Sequence, residues 1–329
     1  MTLRFHEIAE ANHRIQNPIS VDKLKMLGEF CGLKEGMRVL DLACGKGEML
    51  VNWVQNFGIY GVGVDISNVF IKAAEDKAFQ RAVGNKLNFV VGDAAEYPEA
   101  HHEFDVVTCL GATWIGGGLI GTLNLMRTAL KSRDGLLVIG EPFWNEPPDS
   151  QAISALHVES DTFTSLSGTL DRFEEAGLSL VEMVIADRDE WDRYEAQQWQ
   201  AVDQFLQENP DDPEAAALQR WNAENQRNYL AYGRRYMGWG VFVLRETAPL
   251  STEHVQIDQP DRPVGVDIAD NMLWVRLQDN RVIGNPLDWF PWLKDATPDA
   301  VDNYEMTAIG IEWPELGKRI EVSQMMRGR

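Results

Sequence analysis

The stretch Val39-Leu40-Asp41-Leu42-Ala43-Cys44-Gly45-Lys46-Gly47-Glu48 decides the fold. Its opening residues are apolar apart from one carboxylate and read as a buried strand. Gly45 and Gly47 then let the backbone turn tightly and approach a ligand. Residues 48–57 continue as a helix. Outward from this turn the pattern repeats. Tyr60-Gly61-Val62-Gly63-Val64-Asp65 reads as a second strand, followed by a helix with Ser67 near its start and Ala73, Ala74 and Ala78 inside. Residues 87–93 and 104–109 are strands three and four, 119–130 a helix, and 135–140 strand five. Strands alternating with helices at this spacing predict a doubly wound, mostly parallel sheet covered on both faces, an α/β fold. Upstream, the first thirty-odd residues read as helical, ending near Gly32 or Gly36.

Past strand five the character changes. Residues 141–150 read as a Pro-rich loop, 161–177 as helix and 178–186 as strand. A long polar helical stretch follows over 190–236, broken at Asn209-Pro210-Asp211-Asp212-Pro213 and dense in Trp and Tyr. An insertion of this size before a last strand at 239–244 looks like a lid. Pro249, Pro260 and Pro263 mark 247–263 as a linker. Strands at 264–268 and 272–277, with a turn at Asp279-Asn280 into Arg281-Val282-Ile283, then form a separate small α+β unit over 264–329.

The 329 residues exceed one ordinary domain and fit one large and one small. The net charge of -21 repels polyanions, so nucleic acids and anionic membranes are not expected partners, whereas neutral or cationic small molecules are. Cys31, Cys44 and Cys109 are widely spaced, without a Cys-x-x-Cys pair, which argues for reduced thiols and against zinc or any other metal site. The longest apolar run, 106–121, is broken by Gly111 and Gly116-Gly117-Gly118 and is too short to span a membrane. Residues 1–13 carry Arg4, Glu7 and Glu10 and do not read as a signal peptide. The expected location is cytoplasmic.

The turn at Gly45 gains meaning from two further strand ends. Asp65 closes the second strand 18 residues after Gly47, where a carboxylate in doubly wound folds accepts hydrogen bonds from ribose hydroxyls. The third strand ends in Gly92-Asp93-Ala94, where a carboxylate can take an adenine amino group. A dinucleotide fingerprint fits poorly, because its third glycine falls on Leu50. A phosphate-binding P-loop fits poorly too, because Lys46 is followed by Gly47 rather than Ser or Thr.

Residues 38 to about 140 resemble class I S-adenosylmethionine-dependent methyltransferases, whose first motif is apolar-Asp-x-Gly-x-Gly-x-Gly, with Ala43 in place of the first glycine. The resemblance implies a Rossmann-like seven-stranded methyltransferase domain over 1–246 and S-adenosylmethionine as cofactor. It implies Gly45 and Gly47 beside the methionine part, with Ala43 and Cys44 in the same loop, and Asp41 holding that loop near the sulfonium-bearing amino acid. Asp65 is implied on the ribose, Ile66 against adenine, Asp93 and Ala94 at the adenine edge, and Leu110 at the end of strand four. The wider segment 6–144 is similar to a bacterial methyltransferase group of unassigned substrate. The shared words are Asn17-Pro18-Ile19-Ser20, Cys109-Leu110-Gly111-Ala112-Thr113-Trp114 and Gly140-Glu141-Pro142-Phe143-Trp144.

In this fold the loops after strands four and five face the methyl group. Methyltransferases acting on glutamine or adenine nitrogens carry Asn/Asp-Pro-Pro-Tyr/Phe after strand four, and Leu110-Gly111-Ala112-Thr113-Trp114 is not that motif. Trp114 is expected to pack a substrate or face the sulfonium, and Trp144 to wall the pocket. Glu141, at the end of strand five, is the candidate to orient the acceptor or act as general base. His6 and His13 lie on an N-terminal segment that in many such enzymes folds over the cofactor. Residues 260–325, with Asp288-Trp289-Phe290-Pro291-Trp292 and Ile311-Glu312-Trp313-Pro314, resemble the small bacterial domain of unknown function 2442. No catalytic constellation is visible in it, and self-association or a protein partner is its expected role. Three readings of the whole remain: a small-molecule methyltransferase, a non-catalytic cofactor-binding regulator that recruits a partner through this domain, and an NAD-dependent oxidoreductase.

Overall fold

The computed structural model describes residues 2–98, 101–159, 161–247, 261–307 and 309–327. These fall into two compact units, one spanning Met1–Thr247 and the other Ala248–Arg329. Residues 248–260, most of the expected linker, lie outside the described residues.

The larger unit is built on seven strands: β1 Arg38–Leu42, β2 Tyr60–Asp65, β3 Leu87–Val91, β4 Val106–Leu110, β5 Leu136–Trp144, β6 Leu178–Ile185 and β7 Met237–Glu246. Their spatial order is β3-β2-β1-β4-β5-β7-β6, and β7 runs antiparallel to both its neighbours. The order reverses between β1 and β4, and a sheet of this kind opens its ligand crevice at such a point, beyond the carboxyl ends of the strands. Alternating residues feed two cores. Val39, Val106 and Val138 pack with Leu24, Leu27 and Trp53 on one face. Leu40, Val107, Leu137 and Ile139 pack with Leu119, Leu123 and Met126 on the other. The near-continuous burial of these strands is what a sheet covered on both sides requires.

The helices that matter for the site are α1 Leu3–Ala9, α2 Val21–Phe30, α3 Glu48–Phe57, α4 Asn68–Gln80 and α5 Leu119–Thr128. Thr2, Ser20 and Ser67 cap α1, α2 and α4 with side-chain oxygens. The N-terminal thirty residues are therefore two helices and not one; residues 10–20 leave helical geometry, with Asn17-Pro18 before the Ser20 cap.

Strand β5 also departs from the sequence reading, since 141–144 continue it and are not loop. Its parallel neighbour β4 stops at Leu110, opposite Gly140, whereas the antiparallel partner β7 runs on and pairs Glu141 with Gly240 and Trp144 with Met237. Pro142 is tolerated because β4 has already ended on that side, so no ladder donor is required there.

Between β5 and β7 lie α6 Ser150–Ala155, α7 Leu166–Glu175, α8 Arg188–Glu208, α9 Ala215–Asn228 and a π-turn at Tyr229–Gly233, which continues into α10 Arg234–Tyr236. Asp187 and Glu190 form a capping box on α8. The apolar faces of α8 and α9 bury Val202 and Leu218 against Phe5 and Ala9 of α1.

The smaller unit holds two three-stranded antiparallel sheets. One is β8 Pro263–Ala269, β9 Met272–Leu277 and β10 Val282–Pro286; the other is β11 Glu305–Met306, β12 Gly310–Trp313 and β13 Lys318–Glu321. Trp313 is wholly buried in its core and donates to Val301 O at 2.9 Å, so it is structural and not an exposed recognition residue. Asp288 is exposed and pairs with Lys294.

Candidate functional site

The loop after β1 is shaped by a run of left-handed residues. Ala43, Gly45 and Gly47 have φ of 59°, 53° and 64°. A side chain on Gly45 would meet Gln16 Oε1 at 2.0 Å, and one on Gly47 would meet the Phe89 ring at 2.7 Å. Ala43 occupies the first glycine position of the motif and accepts the same backbone geometry at a cost of about 1–2 kcal/mol.

Three aspartates ring this loop. Asp65 spends one oxygen on Gly45 N and the other on Ser67 N, both at 2.8 Å, and so fixes the loop to the end of β2. Asp41 Oδ1 accepts from Thr108 Oγ1 at 2.7 Å, which ties β1 to β4 at the crevice. Burial pushes the Asp41 carboxyl up to about 7, Thr108 opposes this and the Asp65 charge adds to it. Asp65 is likewise raised, chiefly by burial. Asp93 is exposed and holds the turn after β3 through Ala95 N at 2.8 Å.

These groups open onto one cavity of about 650 Å³. Its floor is Asp41, Ala43, Cys44, Gly45, Asp65, Ile66, Asp93, Ala94 and Leu110, all expected from sequence. Trp114 is also on it, 74 % exposed at the rim. The opposite wall is the N-terminal segment: Thr2 at the cap of α1, Leu3 and His6 within it, and residues 14–17 from the coil that follows. His6 packs edge-on against Phe70, and burial lowers its pKa, which favours the neutral imidazole.

The segment is clasped to the glycine loop. Lys46 Nζ donates to the carbonyls of Glu10, Ala11 and His13 at 2.6, 2.8 and 3.1 Å, and Lys46 N donates to Gln16 Oε1 at 2.7 Å. Glu48 receives Arg14 at 2.6 Å and Lys77 at 2.7 Å; burial alone would raise its carboxyl, but these two cations outweigh it and hold the carboxyl below its ordinary value. Lys46, Gln16, Arg14 and Glu48 were not singled out as site residues in the sequence. Lys46 stood only as a mismatch to a P-loop, and no local pattern ties Gln16 to a loop 30 residues away.

Other expected residues fall elsewhere. Gly47 is off the cavity; its missing side chain makes room for Phe89 and Ala74, so it serves helix packing. His13 is buried behind the wall, with Nε2 2.9 Å from Tyr194 O and Nδ1 3.2 Å from Glu10 Oε2; burial lowers its pKa to about 4. Trp144 packs edge-on against Phe163 at 5.8 Å and does not wall the cavity. Glu141 is 3 % exposed and also off the cavity, because β5 carries it on past Gly140 toward β7. Burial raises its carboxyl to about 7 against the pull of Thr113, and Oε2 has no hydrogen-bond partner among the described residues. None of the aromatics of 190–236 lines the cavity either. The insertion supports α1, and α1 covers the crevice.

A methyltransferase domain model matches residues 39–132, and the model described as a protein of unknown function (DUF2442) matches 263–329. The chain is 40 % identical over 243 residues to the uncharacterized protein YjhP of Escherichia coli K12, covering 73 % of this chain and 97 % of YjhP. A methyltransferase of Geobacter sulfurreducens, solved with S-adenosyl-L-homocysteine, is 39 % identical, superposes with a TM-score of 0.71 and aligns over 74 % of this chain and 98 % of its own. One from Thiobacillus denitrificans, solved with the same ligand, matches at 39 % identity and TM-score 0.71 over 74 % of this chain and 99 % of its own. With this sheet order and this crevice, the chain belongs to the S-adenosylmethionine-dependent methyltransferases.

Proposed function

We propose that the chain transfers the methyl group of S-adenosylmethionine to a small, neutral or cationic acceptor held between the glycine loop and the N-terminal wall. The observation that carries this is the cavity of about 650 Å³, which has the cofactor-facing residues on its floor and Leu3, His6, Trp114 and Ile115 toward its other side. That volume lies within the range of sites that enclose drug-sized ligands, about 300–1,000 Å³.

The residues present suit the cofactor. Gly45 leaves room for close backbone approach, and Asp41 Oδ2, which no described protein group occupies, is an acceptor for an ammonium group. Asp65, fixed by two backbone amides, keeps lone pairs for ribose hydroxyls, and Asp93 with Ala94 takes the adenine edge. Bound S-adenosylmethionine supplies a methyl carbon activated by sulfonium, and in-line displacement there depends on positioning and water exclusion more than on a strong acid or base.

The wall of α1 excludes water, and Trp114 offers a ring to an apolar or cationic acceptor. Glu141, beside Thr113 and away from the cavity, is a positioning residue for the turn that carries Trp114 and not the general base. The smaller unit is the candidate surface for self-association or a protein partner. The test is transfer of label from methyl-labelled S-adenosylmethionine into a fractionated metabolite extract. Label in the small-molecule fraction supports the reading; label confined to protein or nucleic acid, or no transfer at all, overturns it.

A further inference from the structure

The helical insertion holds a second cavity, of about 220 Å³, that shares no lining residue with the cofactor cleft. Trp191 and Glu195 of α8, Trp221 and Glu224 of α9, Tyr229 of the π-turn and His157 line it. Two features of the backbone are concentrated there. The π-turn interrupts the helix at Tyr229, and such turns gather at functional sites. His157, with a φ of 54°, is the left-handed residue that ends α6 beside it.

Glu195 is the group that needs a partner. Asn225 Nδ2 donates to Oε2 at 3.3 Å, and no Lys or Arg of the described residues forms an ion pair with this carboxylate. The indole N–H of its neighbour Trp191 faces the same carboxylate, and with Asn225 it opposes the rise in the carboxyl's pKa. Arg234 is committed to Asp192. Glu195 is half-buried without a cationic partner among the described residues, and its pKa rises to about 7, chiefly through burial.

We propose that this cavity binds a small organic ammonium ion, with Glu195 as its counter-charge and Trp191, Trp221 and Tyr229 as its aromatic walls. Ring systems around one carboxylate are the means by which methylated ammonium groups are recognised. The same set lacks the six to eight oxygen ligands that calcium takes, so a hard metal ion is a poor occupant. The volume corresponds to roughly seven waters, which fits a choline-sized cation. Glu224 adds a second carboxylate, 3.4 Å from His157 and largely exposed.

The test is calorimetric titration of the full chain with choline chloride, in saturating S-adenosylhomocysteine so that the cofactor cleft is filled. Its neutral isostere 3,3-dimethylbutan-1-ol serves as control. Saturable choline binding is expected, weakened about tenfold or more in the alcohol and in both Glu195→Gln and Trp221→Leu. Affinity for S-adenosylhomocysteine stays within about twofold in Glu195→Gln, because Glu195 is off that cleft. Absence of saturable choline binding, equal affinity for the alcohol, or choline binding unchanged in both variants overturns the proposal. If either variant does not fold, Trp191→Leu takes its place, and choline binding unchanged in it overturns the proposal.

Discussion

Asp41 carries a cost that only a ligand repays. It is 4 % exposed, accepts one hydrogen bond from Thr108, and burial raises its carboxyl to about 7. Because the folded-state pKa lies above that of an unfolded Asp, the native form holds a proton that the unfolded chain releases. Its contribution is therefore fully present below about pH 4 and lost as pH rises through about 7. Asp41→Asn removes this loss. The melting temperature of the variant, relative to the unaltered chain, is expected to rise between pH 4 and 7 and hold constant above, while affinity for S-adenosylmethionine falls about tenfold or more. Thermal melts across pH check the first, and calorimetry the second. Glu141 gives the opposite contrast. As it lies off the cavity, Glu141→Gln is expected to retain methyl transfer within about threefold, whereas loss of a true general base would cost about a hundredfold or more.

At the scale of the element, the N-terminal segment and the glycine loop act as one piece. Lys46 joins them through three carbonyls, and α8 supports the same segment from behind through Tyr194 and Gln198, which donate to Glu10 Oε1, each at 2.8 Å. Lys46→Met is expected to destabilise this segment by about 1.5–3 kcal/mol, the usual worth of hydrogen bonds to a charged group. Hydrogen exchange then accelerates over residues 2–17 and cofactor affinity drops; exchange unchanged over this segment contradicts the clasp. Strands β1 to β4 and the glycine loop were legible in the sequence, because parallel strands give apolar runs and a residue that matters lies at or near each strand end: Asp41, Asp65, Asp93 and Leu110. It did not show the wall. Residues 10–20 have no periodicity, and the aromatic density of 190–236 drew attention to a lid where the structure has a buttress. Trp144 and Glu141 were misplaced for one reason: a strand that outruns its parallel partner because an antiparallel one continues beside it is not visible in local pattern.

For the whole molecule, the two units have separate cores, Leu273, Trp313 and Ile320 anchoring the smaller. YjhP is matched over 97 % of its own length by 73 % of this chain, so that relative is shorter than this chain. A chain ending at Thr247 is expected to keep its cofactor affinity within about threefold. If the smaller unit mediates self-association, light scattering will show the shortened chain at a lower oligomeric state than the full one; equal states in both remove that role. The net charge of -21 belongs to this scale as well, since it disfavours polyanionic acceptors and raises the local concentration of cations.

The most direct measurement is calorimetric titration of the full chain and of Asp65→Asn with S-adenosylmethionine and with NAD. Asp65 sits at the end of β2, on the cavity and hydrogen-bonded to the glycine loop, so it reports on the whole arrangement. Saturable binding of S-adenosylmethionine, weakened about tenfold or more in the variant, with no binding of NAD, is the predicted result. Equal affinity of the two chains for S-adenosylmethionine, or binding of NAD in its place, would contradict the account.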